Sequence, residues 1–111
     1  MNKIELAKQY IKVFFETQEF DLLYNLFAEQ LDFKGPFFQS ETAKEYIESL
    51  KSSHWEKCRC AILEEYEDSD SACLIYLFQK GEKSTIMAQQ FWCTKNTIHK
   101  IRLIFNPIEI S

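Results

Sequence analysis

The run Phe33-Lys34-Gly35-Pro36-Phe37-Phe38 constrains this chain more than any other feature. Leu31, Phe33, Gly35 and Phe37 share one parity, the period of a strand. Pro36 has no N–H for a ladder, so a strand here lies at a sheet edge or breaks at Gly35-Pro36. Helical patterns precede this run. One further helical pattern and then strand patterns follow it. Helices first, one kinked strand, a helix and then β-hairpins is an order that wraps a curved sheet around helices. It leaves an apolar pocket between them, in an α+β fold with a mostly antiparallel sheet.

Residues 2–17 place Ile4, Ala7, Ile11, Phe14 and Phe15 at helical period, with Lys3, Lys8, Lys12 and Glu16 opposite. Residues 19–28 repeat the pattern with Phe20, Leu23, Leu26 and Phe27, so a helical pair is expected. Ser40 is a candidate N-cap for a third helix, and Thr42 with Glu45 offers a capping box one register on. Ala43, Tyr46, Ile47 and Leu50 form that helix's stripe, and Ser52-Ser53 ends it. His54, followed by Trp55, falls in the loop beyond. Strands are expected over 58–67, 72–79, 84–94 and 98–106. The turns between them are Asp68-Ser69-Asp70-Ser71, Lys80-Gly81-Glu82-Lys83 and Lys95-Asn96-Thr97. The strand over 72–79 is apolar on both faces, which makes it central. No repeat or linker divides the chain, and 1–111 reads as a single domain.

Composition excludes several functions. Ten Phe, five Tyr and two Trp in 111 residues can build a core without staples. The net charge is −4, and Arg59 and Arg102 are the only arginines, so no basic face is available for nucleic acid. Glu5, Lys8 and Lys12 interrupt the first apolar stretch, so it is no secretory h-region. No run is long enough to span a membrane, and the cytoplasm is the expected compartment. Cys58, Cys60, Cys73 and Cys93 then read as free, small apolar residues. No paired ligand spacing supports a metal, and no glycine-rich loop supports a nucleotide cofactor. The expectation is no metal and no cofactor. The acidic run from Glu64 to Asp70 reads as a solvated hairpin.

Three stretches carry a resemblance to a known superfamily. They are Leu26-Phe27-Ala28-Glu29 leading into Leu31-Asp32-Phe33-Lys34-Gly35-Pro36-Phe37, then Ala88-Gln89-Gln90-Phe91-Trp92-Cys93, then 98–107 from Ile98 to Pro107. In order and spacing they resemble the nuclear transport factor 2-like superfamily, which includes ketosteroid isomerases, limonene-epoxide hydrolases and SnoaL-like polyketide cyclases. The resemblance covers almost the whole chain. It implies a cone-shaped sheet around the N-terminal helices, an apolar pocket on its concave face and a homodimer through its convex face.

Strand alternation within that frame sends Cys73, Ile75, Leu77, Gln89, Phe91, His99, Ile101, Leu103 and Phe105 to the pocket. It sends Tyr76, Phe78, Gln90, Trp92, Arg102 and Ile104 outward. The expected ligand wall is Phe33, Phe37, Tyr46, Ile75, Leu77, Gln89, Phe91, Leu103 and Phe105. The expected dimer face is Tyr76, Phe78, Trp92, Arg102 and Ile104. The resemblance places the isomerases' carboxylate base at Gly35, which holds no proton, and their helix-1 tyrosine at Ile11. Their oxyanion-holding acid falls near Gln89, whose amide can still donate. No Asp-Arg-Asp set of the epoxide hydrolases surrounds Arg102.

Three functions follow as expectations. The first is binding of a small apolar or aromatic molecule. The second is SnoaL-like isomerase, cyclase or hydrolase chemistry, with His99 as base and Gln89 on the oxyanion. The third is a protein-interaction module whose pocket is filled by its own phenylalanines.

Overall fold

The first helix is set by its own first turn. Asn2 Oδ1 accepts from the Glu5 N–H at 2.8 Å, and Glu5 Oε1 accepts from the Asn2 N–H at 3.2 Å. This reciprocal capping box starts α1 (Lys3–Lys12) and buries Leu6, Ala7, Tyr10 and Ile11. The structure is a computed structural model, which describes residues 1–53 and 57–111. His54 and Trp55 lie outside the described residues.

The helix expected over 2–17 changes its winding after Lys12. Val13–Thr17 forms a π-turn, closed by the Gln18 N–H on the Val13 carbonyl at 2.8 Å, with Gln18 at φ 54°. The wider turn lets the consecutive Phe14 and Phe15 reach the same cavity. The second expected helix is reduced to a 3-10 turn, Phe20–Asn25. Sheet pairing overrides the helical pattern there: the Ile98 N–H donates to Leu26 at 2.8 Å, and Phe27 pairs with Ile98.

The first strand, β1 (Phe27–Lys34), starts earlier than expected and stops before Gly35-Pro36. Beyond the break, β2 (Gln39–Thr42) runs back along β1 as an edge strand that the sequence pattern did not mark. Ser40 therefore sits in a strand, and Thr42 caps α2 (Ala43–Ser52). Thr42 Oγ1 accepts from the Glu45 N–H and donates to Glu45 Oε1, both at 3.1 Å. The stripe Ala43, Tyr46, Ile47 and Leu50 is buried, as its spacing predicts.

A meander completes the sheet: β3 (Arg59–Glu67), β4 (Ser71–Lys80), β5 (Lys83–Thr94) and β6 (Thr97–Ile104). Both later hairpins close on two-residue loops. Gly81 takes φ +63° in one, and Lys95 and Asn96 take φ 52° and 65° in the other, the signature of a type I′ turn. The strand order is β2-β1-β6-β5-β4-β3, with β1 and β6 parallel and the other pairs antiparallel. Register shifts in β1, β3 and β6 bend the sheet around the helices. A 3-10 turn, Pro107–Ile110, ends the chain.

Register corrects the expected parity of β4. The Gly81-Glu82 loop sets Leu74 opposite Gln89 and Tyr76 opposite Met87. Directly opposite residues share a face, so Ala72, Leu74, Tyr76 and Phe78 point into the core and are buried. Cys73, Ile75 and Leu77 take the outer face. A strand apolar on both sides carries no parity of its own, so the hairpin decides.

Candidate functional site

A cavity of about 330 Å³ opens between the helices and the inner face of the sheet. Its helical wall is Tyr10, Phe14 and Phe15 from α1 and the π-turn, with Tyr46, Ser49 and Leu50 from α2. Its sheet wall is Phe33, Tyr76, Phe78, Met87, Gln89 and Leu103. Its mouth is framed by 35–38 on one side and by Phe105 and Ile110 on the other. At the mouth, Phe37 is 71% exposed and meets Phe105 edge-on, with ring centroids 5.5 Å apart. No charged side chain is among the described lining residues.

The polar groups gather deep inside. Tyr10 and Tyr46 share a hydrogen bond of 2.5 Å between their hydroxyls, and either can donate. Whichever does, the other keeps a proton to offer. Tyr76 donates to Gln89 Oε1 at 2.8 Å. Gln89 is 1% exposed, and its Nε2 is buried without a hydrogen-bond partner. An unpaired buried donor costs about 1–3 kcal/mol, which marks this atom as the place where a ligand's acceptor is most useful. Burial raises the phenol pKa values of Tyr46 and Tyr76 well above the usual range and that of Tyr10 above it. The Tyr46 hydroxyl, and then the nearby Gln89 amide, oppose the effect at Tyr10; Gln89 Nε2 lies close to that phenol without reaching hydrogen-bond geometry. All three phenols are neutral near pH 7 and act as donors.

Aromatic packing holds this floor. Tyr46 stacks on Phe33 at 4.3 Å and 22°, and Tyr10 meets Phe91 edge-on at 5.3 Å. Tyr76 meets Phe15 edge-on at 5.9 Å. Such rings settle into offset or edge geometries that fix the hydroxyls they carry.

Of the expected wall, Phe33, Phe37, Tyr46, Gln89, Leu103 and Phe105 line the cavity. Phe91 is fully buried behind Tyr10, while Ile75 and Leu77 lie on the outer face. Tyr76 and Phe78, expected on a dimer face, line the cavity instead. His99 is displaced as well. Trp92 pairs with Lys100 and Cys93 with Ile98, which leaves His99 as the extra residue of a bulge. It lines a separate depression with Gln30 and Asp32. His99 and Gln89 therefore do not meet across one chamber, and the expected catalytic pair is not assembled.

Trp92, Arg102 and Ile104 do stand on the outer face. Lys100 Nζ sits 4.6 Å from the centre of the Trp92 ring. Arg102 forks onto the Asp32 carboxylate at 2.8 and 3.1 Å and also donates to the Asp32 carbonyl at 3.0 Å. The hydrogen bonds from Arg102 hold the Asp32 carboxyl below the usual range.

Tyr10 is the most important residue that sequence reasoning missed. It lines the cavity from α1, next to Ile11, which is buried in the core. The signal was present: Tyr10 is three residues after Ala7 and four before Phe14, on the same stripe. Tyr76 was also reachable, because a two-residue loop at Gly81-Glu82 sets it on the face of Gln89. Ile110 carried no such signal.

Among the described residues Cys58, Cys60, Cys73 and Cys93 form no disulfide, and burial pushes Cys60 up to about 11. Among the described residues no group of His, Cys, Asp and Glu could hold a metal ion. No described helix is long and apolar enough to cross a membrane.

No protein-family model matches the sequence, and no curated protein matches it. Solved structures do. An NTF2-like protein of unknown function from Cytophaga hutchinsonii superposes with a TM-score of 0.82 at 19% identity, over 99% of this chain and 95% of that one. A putative polyketide cyclase from Acidithiobacillus ferrooxidans gives 0.80 at 12% identity, over 96% and 89%. A hypothetical protein with a ketosteroid isomerase-like fold from Catenulispora acidiphila, in complex with trimethylamine, gives 0.80 at 12% identity, over 98% and 91%. At these identities the likeness speaks to architecture, and the chain has the nuclear transport factor 2-like fold.

Proposed function

We propose that this protein binds a small, uncharged, largely aromatic molecule that carries a hydrogen-bond acceptor such as a carbonyl oxygen. The observation that carries the reading is the unpartnered Gln89 Nε2 inside a cavity whose described walls hold no charge. A charged ligand would have no counter-ion there, and a pure hydrocarbon would leave the donor unpaired. At interior packing density the volume suits a ligand of roughly a dozen non-hydrogen atoms. The open cavity weighs against a pocket filled by its own phenylalanines. Catalysis by a base opposite Gln89 would need a group that the described lining residues do not supply, since the three phenols are neutral.

The proposal keeps the chain as one domain, cytoplasmic, working as a homodimer without metal or cofactor. Support for the dimer comes from the outer face. Ile75, Ala88 and Ile104 stand in register across β4, β5 and β6, beside Leu77 and Ile86. Ile104 and Ile86 are 68% and 50% exposed. A contiguous apolar patch of this kind marks an interface.

Calorimetric titration with naphthyl methyl ketone tests the cavity, with dissociation in roughly the tens of micromolar expected for a ligand of this size. Absence of saturation at millimolar ketone refutes the reading. Native mass spectrometry on freshly purified protein, with a denaturing run alongside, gives the mass of any resident ligand.

A further inference from the structure

The cavity mouth has two sides of different make. One is the Gly35-Pro36-Phe37-Phe38 corner, continuous with the sheet. The other is the C-terminal turn Pro107–Ile110, which follows β6 and folds back toward β5. This turn brings Ile110 into the cavity wall beside Phe105. Asn106 shapes the turn, since its Oδ1 accepts from the Ile108 N–H at 3.1 Å and its carbonyl accepts from Glu109 at 3.2 Å.

Two polar contacts tie the turn to β5. Thr85, only 3% exposed, donates from Oγ1 to Glu109 Oε1 at 2.7 Å. Lys83 Nζ donates to the Ser111 carbonyl at 2.5 Å. The turn itself contributes no fully buried residue, and Ile108 is 80% exposed. Its attachment is two polar contacts and the half-buried Ile110 packed against the core, local and cheap to undo, while the wall it supplies is apolar. Segments held this way open at low free energy without global unfolding.

We propose that the C-terminal turn is the gate of the cavity and that the Thr85–Glu109 hydrogen bond is its latch. The inference rests on the ligand-binding reading of the cavity and names how that site is regulated. When the latch is made, Ile110 closes the wall. When it breaks, the turn swings from β5 and the mouth widens. Thr85 does not line the cavity, so the latch sets the rate of exchange and leaves the bound ligand's contacts unchanged.

The test uses Thr85→Val, which removes the donor with little change of shape and leaves Glu109 at the surface. In the free protein, amide hydrogen exchange at Glu109 and Ser111 should speed roughly fivefold to tenfold, the worth of one charge-assisted hydrogen bond at a partly exposed site. Exchange in α1 and β1 should not change. With naphthyl methyl ketone, association and dissociation rates should rise together by a similar factor, and the dissociation constant should stay within about twofold. Glu109→Ala should reproduce both effects. Glu109→Gln, which keeps an acceptor, should largely restore the parent rates.

Unchanged amide exchange in Thr85→Val overturns the latch. So does faster amide exchange with unaltered ketone rates, because the turn would then open without gating. Failure of the ketone to bind the parent protein sinks the ligand reading instead, and the amide exchange still decides whether the latch exists.

Discussion

Replacing Gln89 by leucine separates its two roles. Gln89 Oε1 accepts from Tyr76, and Nε2 has no partner. In Gln89→Leu the Tyr76 hydroxyl loses its acceptor, at a cost of about 1–3 kcal/mol, while removal of the unpaired Nε2 relieves a penalty of the same size. The two offset, and urea unfolding should place the variant within about 1 kcal/mol of the parent. Adding Tyr76→Phe removes the newly orphaned hydroxyl and should recover stability relative to Gln89→Leu alone. Binding should respond differently. The parent protein should prefer naphthyl methyl ketone over ethylnaphthalene by about tenfold, the value of roughly 1.4 kcal/mol for one satisfied donor. Gln89→Leu should bind the two almost equally. Retention of the tenfold preference would place the carbonyl elsewhere. A loss of about 3 kcal/mol or more in stability would mean that Nε2 already has an internal partner, and the reasoning would fail.

The buried phenols predict an alkaline limit. Their folded pKa values are raised by burial, so their contribution is fully present below the unfolded value near 10 and is lost as pH rises toward the folded values. Above pH 10 each should weaken folding by about 1.4 kcal/mol per pH unit; urea midpoints that stay flat there would contradict their burial. The raised Cys60 thiol, pushed to about 11, should be alkylated roughly a hundredfold more slowly than an ordinary thiol in mildly alkaline buffer. Mass mapping of iodoacetamide adducts checks this, and rapid labelling of Cys60 would count against it. Ile104→Lys places a charge in the outer apolar patch while leaving the cavity untouched, so light scattering should show a monomer that still binds the ketone. A dimer unaffected by that change would need a different interface.

Much of the architecture was legible because it is written in local signals. The Gly35-Pro36 break ends β1 where proline removes a ladder donor. Thr42 and Glu45 start α2, and the stripe from Ala43 to Leu50 reports its buried face. Gly81 and Lys95-Asn96 mark hairpins through the backbone conformations they adopt. From these the sequence by itself determined the class and the element order after residue 40; that Tyr46, Gln89, Phe33 and Phe105 lie near one cavity was an expectation the resemblance implied.

Tertiary structure decided what local pattern leaves degenerate. Which face of β4 points inward depends on its register with β5, since both faces are apolar. One extra residue in β6 removes His99 from the chamber that alternation assigned to it. The π-turn that brings Phe14 and Phe15 to one wall, and the turn that seats Ile110 at the mouth, have no periodic signature. The polar floor is the furthest from sequence. Tyr10 and Tyr46 are 36 residues apart, and Tyr76 and Gln89 lie on different strands. Their hydroxyls and amide meet only because helices and sheet close on one another, and the donor left over at Gln89 Nε2 is a property of that closure.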